Sequence, residues 1–102
     1  MKDDQVEGTL VIGPANVIEK ANAAACTLLG YSKDELVGLH GSELILPEEQ
    51  PATAAGVDRM RRGQLIVGTG RLKRKDGSVI EVEVRGQPQT RGRITLFVRK
   101  LR

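Results

Sequence analysis

A chain of 102 residues has room for one domain, because folding at this length buries roughly two-thirds of the surface that the unfolded chain exposes. Tyr31 and Phe97 are the only aromatics, Cys26 is the only cysteine, and no apolar run is long; there is little to stack a planar ring on, an internal disulfide and a thiolate metal centre are excluded, and so is a membrane helix of about 20 apolar residues. The net charge of +3 conceals an asymmetry, since residues 1–58 carry three Lys against ten acids, a net of −7, and residues 59–102 carry thirteen Lys or Arg against Asp76, Glu81 and Glu83, a net of +10.

The opening MKDDQVEG lacks the basic-then-apolar order of a secretory leader, which predicts a cytoplasmic protein. Gly8 to Ile12 is β-prone, Gly13-Pro14-Ala15-Asn16 has turn composition, and Val17-Ile18-Glu19 resumes strand character; two short strands joined by a tight turn are expected. From Ala21 the segment ANAAACTLL is helix-forming, with Ala25, Leu28 and Leu29 on one face and Gly30 as the stop. Ser32-Lys33-Asp34-Glu35 has capping-box spacing, which predicts a second, very short helix from Ser32 to near Gly38. Pro47 and Pro51 each suit a first helical turn and not a helix interior. A single turn at Glu48-Glu49-Gln50 and a longer helix from Pro51 to Arg62 follow, ended by Gly63 and with Thr53, Val57 and Met60 on one face.

After Gly63 the character becomes β. Leu65 to Arg74 reads as one long strand, and Lys75-Asp76-Gly77-Ser78 holds the Asp-Gly pair of a tight hairpin. Val79 to Arg85 alternates, Ile80, Val82 and Val84 against Glu81, Glu83 and Arg85. A polar loop at Gln87 to Gly92 leads to a last alternating strand, Arg93 to Arg99, so the final three strands form an antiparallel meander. The Lys and Arg of this half fit its solvated, edge-protecting face. With no recognition motif and no interleaved aromatics, no nucleic-acid partner is expected.

Two strands, a cluster of short helices and a three-strand meander make an α+β chain that resembles the PAS family. The resemblance is carried by Asn22 with Ala24-Ala25, then Leu28-Leu29-Gly30-Tyr31-Ser32, Asp34-Glu35-Leu36, Val37-Gly38, Pro47-Glu48 and Arg74-Lys75-Asp76-Gly77-Ser78. It covers about Gly8 to Arg99, so residues 1–102 are read as a single domain. It implies a five-stranded antiparallel sheet in the order 2-1-5-4-3, with short helices packed over one face. It also implies a non-catalytic sensory module that binds a small ligand between helices and sheet, dimerises, or does both, to drive an effector such as a histidine kinase, a diguanylate cyclase or a transcription regulator. The alternative is a ligand-free dimerisation or protein-interaction module using Val79, Phe97 and the outer sheet face. Family members often close with an Asp-Ile-Thr-like output motif; here Val98-Arg99 is followed by Lys100-Leu101.

Gly68-Thr69-Gly70-Arg71 before the Lys-Asp-Gly hairpin is similar to the haem-binding PAS domains of oxygen-sensing kinases, whose iron is held by a His on the long helix. That helix has no His here, and His40 precedes it in a loop, where a lone imidazole is most simply solvated. Cys26 lies on an earlier helix, with neighbours unlike those of the adduct-forming cysteine of flavin photosensors. Haem and flavin are both disfavoured, and no cofactor is expected. Gly56 inside the long helix costs on the order of 1 kcal/mol relative to Ala, which room for a ligand or close helix–sheet packing would explain. Gly56, Val57, Met60 and Arg71 are the candidate pocket lining, Arg71 as a holder for an acidic ligand. A homodimer is expected through the segment before Gly8 and the outer sheet face, where Phe97 alternates with Leu96 and Val98.

Overall fold

The computed structural model describes residues 7–101. The first strands, β1 (Gly8–Ile12) and β2 (Ile18–Ala21), precede three helices, α1 (Ala23–Leu29), α2 (Lys33–Leu36) and α3 (Gln50–Arg61); the meander follows as β3 (Ile66–Lys73), β4 (Val79–Pro88) and β5 (Ile94–Lys100). Short 3-10 turns lie at Gly41–Leu44, Pro47–Glu49 and Thr90–Gly92. The strands form one antiparallel sheet in the order β2-β1-β5-β4-β3, the topology that the resemblance implied.

Alternation decides which face is buried. On β4 Ile80 and Val82 are buried while Glu81 is exposed, and on β5 Ile94 and Val98 are buried while Arg99 is exposed. These residues join Leu10, Ile12 and Ile18 from the first hairpin and Ala25, Leu29, Leu36 and Leu44 from the helical segment. Fully burying aliphatic side chains of this kind contributes about 1.5–3 kcal/mol each. The helices therefore cover one face only, and the other carries most of the charged residues of the strands together with Val11, Val67, Val79 and Phe97.

Local chemistry sets the helix bounds. Asn22 caps α1, its Oδ1 accepting from the Ala25 amide at 2.9 Å and from the Thr9 amide at 2.9 Å, so one side chain joins helix to sheet. Gly30 ends α1 at φ 82, a left-handed conformation that glycine adopts without strain. The capping box of α2 is complete: Ser32 Oγ accepts from the Glu35 amide at 3.2 Å and Glu35 Oε1 accepts from the Ser32 amide at 2.9 Å.

The differences from the sequence reading are local. β2 starts at Ile18 because the β1 register shifts between Val11 and Ile12, leaving Val17 with only a single bridge to His40. β4 runs on to Pro88 rather than stopping at Arg85, because β5 extends the ladder as far as Ile94. The turn at Gly41–Leu44 was not expected from the sequence; His40 Nδ1 caps it, accepting from the Ser42 amide at 3.2 Å. The segment before Gly8 lies, apart from Glu7, outside the described residues.

Candidate functional site

The helical layer does not cover the sheet evenly. At its C-terminal end α3 presses on β4 through Met60, which is buried against Gly86; a Cβ at Gly86 would overlap Met60 Sδ. Close helix–sheet packing is thus supplied by Gly86 on the strand, not by Gly56 on the helix. Gly56 is half-buried, and no atom lies within 4 Å of where its Cβ would be. Along β3, Leu72 pairs with Ile80, Gly70 with Val82 and Gly68 with Val84, so the two glycines lie on the core-facing side. They too have nothing within 4 Å of a Cβ position, and both are exposed. Between Ile66 and Leu72 the inner face of β3 is bare backbone.

Of the four candidate lining residues, Gly56, Val57 and Met60 share α3, with Val57 half-buried. Arg71 is placed differently. It pairs with Glu81 on the outward side of β3, and its Nε donates to Glu49 Oε2 at 2.8 Å, with Nη2 2.7 Å from the same oxygen and 3.7 Å from Glu48 Oε2. Glu49 raises its pKa further above the ordinary arginine value. Arg71 therefore straps β3 to the turn that begins α3. Gly68 and Gly70 were not among the candidate lining residues, and the packing role of Gly86 was missed, although a glycine interrupting an apolar alternation is the signal of a close backbone approach, as Met60 makes on Gly86.

The lone histidine and the lone cysteine lie on other elements. His40 is exposed, and its Nδ1 lies 2.8 Å from Ser42 Oγ; Cys26 is half-buried beside the core. Among the described residues no group of three His, Cys, Asp or Glu side chains could hold a metal ion. No described helix is long and apolar enough to cross a membrane. At the other end of the sheet a shallow groove of about 510 Å³ runs along β2, with Thr9, Val11, Lys20, Asn22, Lys33 and Val37 in its walls.

The outer face carries a cross-strand row, Val67, Arg85, Phe97 and Thr9. Phe97 is half-buried there because the Arg85 guanidinium lies 4.9 Å above its ring, held in place by Glu7 at 2.8 Å. Such a cation–π contact contributes about 0.5–1 kcal/mol at an exposed site.

Residues 6–99 match the PAS domain family. The chain belongs to that family, whose members are the sensory, non-catalytic modules of signalling proteins. No curated protein matches it. Among solved structures, the PAS domain of a Colwellia psychrerythraea protein superposes with a TM-score of 0.85 at 23% identity, covering 96% of this chain and 89% of that one. A domain of a sensory box sensor histidine kinase/response regulator from Geobacter sulfurreducens gives 0.83 at 21%, covering 93% and 83%. The PAS domain of a LuxR-family transcriptional regulator from Burkholderia thailandensis, in complex with ethanol, gives 0.78 at 16%, covering 95% and 90%.

Proposed function

We propose that this PAS domain is the sensory input unit of a larger signalling protein, holding a small uncharged ligand between α3 and the β3–β4 part of the sheet. The observation that carries this reading is the bare backbone at Gly56, Gly68 and Gly70, none of which has an atom within 4 Å of a Cβ position. Val57, half-buried on the same helix as Gly56, adds aliphatic surface, while Met60 closes the end of the space against Gly86. Arg71, already engaged by Glu49 and Glu48, fixes the wall rather than meeting an anionic ligand. A small neutral molecule suits such walls, and the ethanol of the Burkholderia relative is of that class. An α3 without His and a Cys26 that lies on α1 instead support a site without haem or flavin.

Mass spectrometry and an absorption spectrum of protein purified from its native host test the reading. A bound small molecule is expected, with no Soret or flavin band, and Gly70→Val is expected to remove the bound mass. A stoichiometric haem spectrum that survives replacement of His40 overturns it. Protein with no bound molecule favours the second reading, a ligand-free dimerisation or interaction module.

The outer-face row through Phe97 supports association in either case. A homodimer through this face relays the signal to an effector domain, a kinase, a cyclase or a transcription regulator, in the cytoplasm and without a nucleic-acid partner of its own. In light scattering across a concentration series, wild type should approach twice the monomer mass and Phe97→Glu should not. A wild type that stays monomeric removes this interface.

A further inference from the structure

The two edges of the sheet are managed differently. At the start of β2 the outer edge is occupied by the chain itself: the Ile18 amide donates to Leu39 O at 2.9 Å, the Gly38 amide donates to Ile18 O at 2.8 Å, and Val17 bridges His40. β3 pairs with β4 through all eight of its residues in unbroken register. On its other side, among the described residues, no β3 backbone group is bonded.

An open edge is a template for another strand, and natural proteins blunt such edges with charged side chains, bulges or Pro. β3 has no bulge and no Pro, and no charge before Arg71. Instead Leu65 and Val67, 71% and 68% exposed, lead it as the most exposed large apolar side chains in the described structure.

We propose that the free edge of β3 docks an extended peptide segment of a partner protein, added antiparallel as a sixth strand. The segment carries an acidic residue towards its N-terminus and β-branched residues towards its C-terminus. Main-chain hydrogen bonds to the free edge supply affinity, and alternate side chains supply specificity. On the outer face the added strand meets Leu65 and Val67 at one end and Lys73 at the other. Lys73 has no carboxylate partner among the described residues. On the inner face it passes Gly68 and Gly70, whose empty Cβ positions leave space for a bulky side chain.

A second copy of this chain fits the edge less well than such a partner. β3 contains Arg71 and Lys73 and no acid, so pairing it with itself gives neither cation a carboxylate. Registers centred on Arg71 or Leu72 set like charges opposite each other, which is destabilising. Charge complementarity therefore selects a different, acid-bearing strand.

The test uses a fluorescein-labelled nine-residue peptide with Glu facing Lys73, Phe facing Gly70, and Val facing both Val67 and Leu65, followed by anisotropy. Saturable binding is expected. N-methylation of the alternate amides that point at β3 should abolish it, whereas methylation of the other set should leave affinity within about two-fold, because only one set bonds an edge. Val67→Lys should weaken binding by about ten-fold or more, and Val37→Lys, beside the opposite edge, should leave it unchanged. Val67 is exposed, so an unaltered thermal melt is expected; should that variant melt early, Thr69→Lys, also exposed, takes its place. The proposal is overturned by absence of saturable binding up to about 1 mM peptide, by equal loss with both methylation patterns, or by full binding in Val67→Lys. Self-association that survives Phe97→Glu and that Val67→Lys abolishes assigns the edge to a second copy, and the peptide proposal fails.

Discussion

Met60 of α3 fills the space that a side chain on Gly86 of β4 would need. A Cβ built there would overlap Met60 Sδ and press at 3.2 Å on Met60 Cε and Leu96 Cδ2. Gly86→Ala should lower stability by about 1–3 kcal/mol, the usual cost of overpacking, with a melting temperature several degrees lower. Met60→Ala should cost about 2–5 kcal/mol by itself, since it empties a buried site. The double variant should be less destabilised than the sum of the two, because the new methyl occupies room that Met60 has left. Additive losses in a thermal double-mutant cycle would show that Met60 does not occupy this space.

Gly77 sits in the β3–β4 turn at φ 89, its amide donating to Arg74 O at 2.9 Å, while Asp76 Oδ1 accepts from the Ser78 amide at 2.9 Å. No atom crowds its Cβ position, so the cost of a substitution there is backbone strain alone. Gly77→Val should lower stability by about 1–2 kcal/mol, read as a drop of several degrees in the thermal melt. An unchanged melt would show that the turn adopts another conformation.

Glu35 ties the hairpin turn to α2, Asp76 braces the turn from within, and both make stability pH-dependent. Glu35 lies below its ordinary value of 4.5, first because the Lys75 ammonium bonds it at 2.5 Å and then because the Ser32 amide donates to it. Asp76 lies below 3.8 because the hydroxyl and the amide of Ser78 donate to it. A depressed folded pKa means that the unfolded chain binds the proton more readily. The stabilisation is therefore full above these ordinary values and disappears as pH falls through the lowered folded ones. Both groups are solvent-exposed, so screening keeps the effect small. Melting temperatures between pH 7 and pH 3 should fall less steeply in Glu35→Gln and Asp76→Asn than in wild type. Parallel curves would remove these groups from the acid response.

Element types were legible because period and punctuation agree along the chain. The alternation of Val79 to Arg85, the Asp76-Gly77 pair and the Ser32 to Glu35 capping box each name one local geometry, and each is found. Strand order was legible only through the resemblance, since nothing in β1 says that it pairs with β5. The site was less legible. Arg71 beside two glycines reads like a ligand holder, but strand parity turns it outward, where Glu49 on a separate turn takes it. That pairing spans 22 residues, and no local pattern announces it. The covering of Phe97 by Arg85 and Glu7 was hidden for the same reason, with Glu7 and Arg85 78 residues apart.

Arg61 holds two loops to α3. From the final turn of α3 its Nη2 donates to Gly13 O at 2.9 Å and Asn16 Oδ1 at 2.7 Å, and its Nη1 reaches Pro14 O at 3.3 Å and Gly92 O at 3.4 Å. One guanidinium thus joins α3 to the β1–β2 turn and to the β4–β5 loop with no carboxylate involved. Asn16 and Gly92 both adopt positive φ, 63 and 76, a conformation that Asn and Gly tolerate best, and the guanidinium ties these two turns together. Only a planar fork can serve four oxygens at once, and the three donors of a lysine ammonium cannot reproduce it. Arg61→Met keeps the stem, removes every donor, and should cost about 1–3 kcal/mol. Arg61→Lys should recover only part of that. Hydrogen exchange locates the effect: the Asn16 and Gly41 amides, which donate to Gly13 O at 3.0 Å and Asn16 O at 2.7 Å, should exchange faster in Arg61→Met, while Val82 in the central ladder keeps its protection. Uniform loss of protection across the sheet would mean that Arg61 supports the whole fold rather than these two loops.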